Sequence, residues 1–361
     1  MSSCALYQIP SGDFAQALHT SDWKSDSFPI SASFDLTSAC NLRCRHCFLD
    51  HTQNTHTQKS TTECEHALDI LKELGVLFLV FTGGEPLSRP DFKRLYLKAK
   101  QSGFFLTLFS NGTLLNDSLM DFLADAPPRR LELTIYGHSE KVYEAVTGIP
   151  GSYKRFRNAV DGLLRRGLLV RLKSMIMRTN AHELDEIREW AVSLGCDFRY
   201  DALIHPCLNQ DKRPIDERLS PAEVAQFRHR DRERLPARSS RKPLMTSIPQ
   251  RQFLFECGAG IMTVHIDAQH QAHPCISWRK DPFDLVAHPS IAAWRQHIDR
   301  LRNEPAPGGA CDICTERANC QCCVALSQLE GGTPDAPVPF FCELVKEEQR
   351  LEQIHAAFPI V

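Results

Sequence analysis

Thr37-Ser38-Ala39-Cys40-Asn41-Leu42-Arg43-Cys44-Arg45-His46-Cys47-Phe48 places three thiols on one short stretch, with three and then two residues between them. A single loop of this length can bring all three sulfurs to one centre. Soft thiolates suit zinc or an iron–sulfur cluster. The number of ligands matters: a structural zinc site takes four, whereas three leave one iron of a four-iron cluster open to a small molecule. His46 as a fourth zinc ligand is the plainer alternative. The stretch directly follows a β-rich apolar run, Ser31–Thr37, and a pattern repeats after it. Further runs suited to strands are Leu77–Thr82, Phe104–Phe109, Leu131–Tyr136, Val170–Met177 and Asp197–Ile204. Between them lie amphipathic stretches with helical spacing, including Thr62–Leu74, Tyr153–Arg166 and Glu183–Leu194, each followed by glycine. Strands alternating with helices imply a parallel sheet. Six such units are too few for a closed eight-stranded barrel. They predict an α/β fold, either a partial (β/α)6 TIM-like barrel or a doubly wound sheet.

The chain has 361 residues, 42% hydrophobic and 24% charged, with a formal net charge of −2. That balance speaks against a nucleic-acid binder held by bulk charge. No run of apolar residues is long enough for a membrane helix, and Met1–Gly12 lacks a signal-peptide core. A cytoplasmic protein with no membrane or nucleic-acid partner is expected. Fifteen cysteines are present. Eight fall between Cys257 and Cys342, and without a secretion signal such clusters are read as metal ligands before disulfides.

The expected organisation is an N-terminal extension (1–29), a barrel (30–235), a Ser/Pro-rich linker (236–250), a cysteine-rich domain (251–345) and a closing helix or tail (346–361).

The Cys40, Cys44, Cys47 spacing followed by the aromatic Phe48, just after the first strand, resembles the radical S-adenosylmethionine (SAM) superfamily. Phe81-Thr82-Gly83-Gly84-Glu85-Pro86 after the second strand resembles its GGEP motif. Ser110-Asn111-Gly112-Thr113 after the third strand and Lys173-Ser174 in the fifth follow in the expected order. The resemblance covers about residues 30–205. It implies that the three thiolates hold a [4Fe–4S] cluster whose open iron binds the methionine end of SAM. Gly83 and Gly84 would let the backbone approach that ligand, since no Cβ intervenes, and Glu85 would lie near its ammonium. Ser110, Asn111 and Ser174 would meet the ribose or carboxylate, and Phe48 the adenine. The cofactor then supplies the chemistry: reductive cleavage of SAM gives a 5′-deoxyadenosyl radical, which abstracts hydrogen from the substrate.

The later cysteines, Cys257, Cys275, Cys311, Cys314, Cys320, Cys323 and Cys342, resemble the SPASM extension found on many such enzymes. The sequence departs from that pattern in two places. His270 stands where a glycine is usual, and Cys320 to Cys323 is one residue short, with Cys322 as a surplus thiol. The resemblance implies two auxiliary [4Fe–4S] clusters, one on Cys257, Cys275 and Cys323, the other on Cys311, Cys314, Cys320 and Cys342. The first set lacks a fourth thiolate. Cys322, a distant thiol or an open iron are the alternatives.

Proteins of this architecture mostly modify peptides, which implies a peptide or protein substrate and cross-linking or side-chain oxidation. A flavodoxin- or ferredoxin-like electron donor is implied too. About thirty residues precede the first strand, too few for a leader-binding domain, so either a separate leader-binding protein supplies one or the substrate is something else. The alternatives are oxidation or decarboxylation of a small molecule, such as a tetrapyrrole or sugar derivative, and a non-catalytic zinc scaffold. Tyr136, at the end of the fourth strand, and Asp201, which interrupts the sixth, are the substrate-side catalytic candidates.

Overall fold

The computed structural model describes residues 29–49, 58–234 and 251–357. Most of the expected N-terminal extension and the whole expected linker lie outside these residues. Nine strands form one open sheet: β1 Ser31–Asp35, β2 Phe78–Thr82, β3 Phe105–Ser110, β4 Arg130–Thr134, β5 Val170–Met175, β6 Asp197–Asp201, β7 Thr263–Ile266, β8 Gln271–His273 and β9 Phe283–Asp284. Their spatial order is β6-β5-β4-β3-β2-β1-β7-β8-β9. The first six strands are parallel neighbours, as a partial barrel requires.

The cysteine-rich region is joined to this sheet. β7 pairs parallel with β1, Ser31 opposite Thr263 and Phe34 opposite Ile266. β8 and β9 then follow antiparallel. The closing helix, Pro339–Ala357, begins seven residues before the expected 346 and so carries Cys342.

Side-chain alternation sets the two faces. Leu106, Leu108, Leu131, Leu133 and Leu172 are fully buried and pack beneath the helices. The intervening residues, among them Phe109, Glu132, Lys173 and Arg199, fall on the inner face. The first helix, Thr61–Glu73, starts at a reciprocal cap in which Ser60 and Glu63 satisfy each other's backbone N–H groups. The helix Glu140–Thr147 ends at Gly148 in the left-handed conformation. Its last carbonyls accept from the three-thiol loop: Arg43 N to Thr147 O at 2.9 Å and Arg45 N to Val146 O at 3.1 Å.

Phe34 joins the barrel to the hairpin, with its ring edge-on to both Phe81 and His270. It is fully buried. Phe34→Ala should therefore cost about 3–5 kcal/mol of unfolding free energy, read from the urea midpoint of the purified protein.

Candidate active site

Cys40, Cys44 and Cys47 follow β1 at the C-terminal rim of the sheet, where parallel folds assemble their sites. Burial pushes all three thiols up, Cys47 to about 12, and Cys40 raises both Cys44 and Cys47 further. Three clustered, partly buried thiols held against ionisation suit a cationic iron–sulfur centre, which would remove the proton from each. Among the described residues no His, Cys, Asp or Glu group converges tightly enough for a single metal ion. His46, the alternative zinc ligand, instead packs its ring 5.2 Å from that of Tyr136, and burial lowers it to about 4.

The GGEP stretch packs against the three-thiol loop. Gly84 N donates to Thr37 O and Glu85 N to Ala39 O, both at 2.8 Å. A Cβ on Gly83 would lie 2.4 Å from Thr37 O, and one on Gly84 2.2 Å from Ala39 O. The missing side chains therefore make room for the thiol loop itself. Glu85 is likewise fully buried. Its carboxylate accepts from Leu87 N at 3.1 Å, Ser110 Oγ at 2.8 Å and Asn111 N at 2.7 Å. It ties the end of β3 to the end of β2. Burial pushes it up to about 7.

Asn111 continues the chain of contacts. Its side-chain nitrogen donates to Asn41 Oδ1 at 3.0 Å and to Cys40 Sγ at 3.8 Å. Its oxygen accepts from Thr113. Gly83, Gly84, Glu85, Ser110 and Asn111 are thus brought together, as a support beneath the thiols.

Ser174 is not brought to this support. It lies on the helix side of β5, where its hydroxyl donates to Ile135 O at 2.7 Å. Phe48 is exposed beside the thiol loop. Tyr136 turns its hydroxyl to Cys44 and buries its ring against His46 and Tyr143, so it positions a thiol instead of facing open space. Asp201 is exposed at the end of the edge strand and caps Leu203 N at 2.9 Å.

Two residues escaped the sequence reading. Cys207 lines a cavity of about 540 Å³ with Cys44 and Cys47, and its thiol donates to Cys47 O at 3.4 Å; nothing in its local sequence signals that contact. Lys173 faces inward while Ser174 faces out, a distinction that the two-residue strand period could have supplied.

The second thiol region surrounds a cavity of about 290 Å³. Burial pushes the Cys275 and Cys323 thiols up, and Cys257 beside them adds to it; burial likewise pushes up Cys311 and Cys320, with Cys314 and Cys342 adding to it. Cys322 contacts Ser327 Oγ at 3.4 Å and packs on the core around Phe341 and Leu344. His270 adopts φ +65°, the turn conformation for which glycine is usual, and its ring lies 3.6 Å from Cys64 Sγ.

Residues 35–191 match the family model of the Radical SAM superfamily. The chain is 27% identical over 202 residues to the AdoMet-dependent heme synthase of Methanosarcina barkeri, a match spanning 56% of this chain and 57% of that protein. It is 26% identical over 334 residues to the mycofactocin maturase MftC of Mycobacterium tuberculosis, covering 86% of this chain and 82% of the relative. The fold matches that of Streptococcus suis SuiB bound to its precursor peptide SuiA, with TM-score 0.68 and 17% identity over 91% of this chain and 80% of SuiB.

Glu85→Gln tests the support. An amide cannot accept at every oxygen position that Glu85 fills, so one buried N–H loses its acceptor, at about 1–3 kcal/mol. A carboxyl whose folded value is raised holds its proton more tightly in the native state. Its stability contribution is full below the ordinary 4.5 and lost as the pH rises to about 7. Across that interval wild type should lose stability relative to Glu85→Gln in urea titrations, so the gap between them narrows as pH rises.

Proposed function

We propose that this chain, whose residues 35–191 form a radical SAM domain, is a peptide-modifying enzyme that removes hydrogen from a ribosomally made peptide to form a cross-link or oxidise a side chain. A radical SAM domain uses SAM and a four-iron cluster, and together these supply the 5′-deoxyadenosyl radical. Cys40, Cys44 and Cys47 would hold the cluster. The network of Glu85, Ser110 and Asn111 fixes the loop that carries them.

The observation that carries the peptide reading is continuity. The sheet that ends in the three-thiol loop runs on through β7 and β8 into Cys275, and the maturase likeness covers 86% of the chain. In this reading the later thiols would hold two auxiliary clusters, which would supply an acceptor for the electron that a substrate radical must give up. A flavodoxin- or ferredoxin-like protein then carries the electron away, and a separate protein presents the leader. No described helix is long and apolar enough to cross a membrane, and we place the enzyme in the cytoplasm.

The heme synthase likeness favours a second reading, decarboxylation of a small molecule such as a tetrapyrrole. Anaerobic co-expression with each short open reading frame beside the gene separates the two. A peptide lighter by the mass of two hydrogens, absent with the Cys40/Cys44/Cys47→Ala variant, is the expected result. Peptides unchanged in mass, with no deuterium exchanged into them, would transfer the assignment to the small-molecule reading.

A further inference from the structure

Cys207 lies past the end of β6, 160 residues from Cys47 in the sequence, yet its thiol donates to Cys47 O at 3.4 Å. The main chain runs alongside, with Leu208 N donating to Phe48 O at 2.8 Å. Chain segments hydrogen-bonded side by side hold facing Cα atoms about 4.5–5.5 Å apart, and a disulfide spans about 4.4–6.8 Å. A turn of its own pins Cys207 there: Cys207 N donates to Asp211 O and Gln210 N to Cys207 O, both at 2.8 Å.

The other two thiols of the loop are engaged elsewhere. Cys40 Sγ accepts from Leu42 N at 3.4 Å and from Asn111 Nδ2 at 3.8 Å. Cys44 receives the Tyr136 hydroxyl. Cys47 N does donate to Cys44 O at 3.1 Å, so Cys44 is the competing partner for Cys47. Cys47 and Cys207 both line the cavity of about 540 Å³. A space of that size admits an oxidant little larger than water.

We propose that Cys47 and Cys207 form an oxidative-modification site: when the three-thiol loop holds no cluster, peroxide joins the two as a disulfide. Hydrogen peroxide first oxidises Cys47 to a sulfenic acid, and its O–O bond breaks with release of one water. The Cys207 sulfur then displaces the second oxygen, which leaves as water with the Cys207 proton. Two thiols have lost two electrons and two protons, and the peroxide has gained them. A sulfenic acid that meets a thiol stops at the disulfide, which thiol reductants reverse, whereas one that meets none goes on to the irreversible sulfinic acid. Cys207 thus keeps a cluster ligand recoverable. The inference does not depend on what the substrate is.

The test uses the full chain with its clusters reconstituted, treated with hydrogen peroxide until the iron–sulfur absorption is lost. Remaining thiols are blocked with N-ethylmaleimide under denaturing conditions, and the protein is digested with trypsin. Cleavage after Arg45 separates Cys44 from Cys47. The expected product joins peptides 46–59 and 200–212, lighter than their sum by the mass of two hydrogens. Dithiothreitol releases both peptides with free thiols. In Cys207→Ser, Cys47 instead gains two oxygens as a sulfinic acid that dithiothreitol does not remove. Cys47 joined to Cys40 or Cys44 would overturn the site. So would Cys207 carrying N-ethylmaleimide in the protein that has lost its clusters. The wild-type peptide map decides even if Cys207→Ser fails to fold, and no step of it uses a candidate substrate.

Discussion

Two backbone hydrogen bonds, Gly84 N to Thr37 O and Glu85 N to Ala39 O, hold the three-thiol loop in place. They extend the β1–β2 pairing, which ends at Asp35 opposite Thr82, past the end of the sheet. Without Gly83 and Gly84 the two loops could not approach. Glu85 then fixes β3 through Ser110 and Asn111, and Asn111 reaches back to Cys40. Three successive strand ends are thereby locked around the thiols before any ligand binds. A site whose ligands are held by their own scaffold loses little ordering entropy when the cofactor arrives.

Much of this was legible in the sequence. Apolar alternation gave the strands, helical spacing gave the helices, and the cysteine spacings gave the chemistry. The contacts within the motif were not legible, because spacing does not say what a side chain touches. Glu85 meets Leu87, Ser110 and Asn111, and the two glycines lie against Thr37 and Ala39. Ser174 and Lys173 are successive residues of one strand, so their side chains face opposite ways. Tyr136 was placed at the right strand end, but its contact with Cys44 depends on how the thiol loop folds back.

The pairing of β7 with β1 was hidden for a different reason. More than two hundred residues separate the partners, and no local propensity records so distant a pairing. The hairpin itself was visible, and His270 marks how it is anchored. A residue at positive φ other than glycine carries a conformational cost. Here the ring offsets it by packing on Phe34 and Cys64, so the hairpin is tied to the barrel core.

The seating of Arg43 and Arg45 on the carbonyls of Thr147 and Val146 governs when this protein becomes competent during its synthesis. The loop is made first, and the helix end that receives it is translated roughly a hundred residues later. At elongation rates of about 5–20 residues per second, that is several seconds or more. Throughout that interval the loop lacks the two carbonyls that receive Arg43 and Arg45. Until residue 148 has been made the loop is incompletely seated, and its thiols are more open to oxidation than in the folded chain.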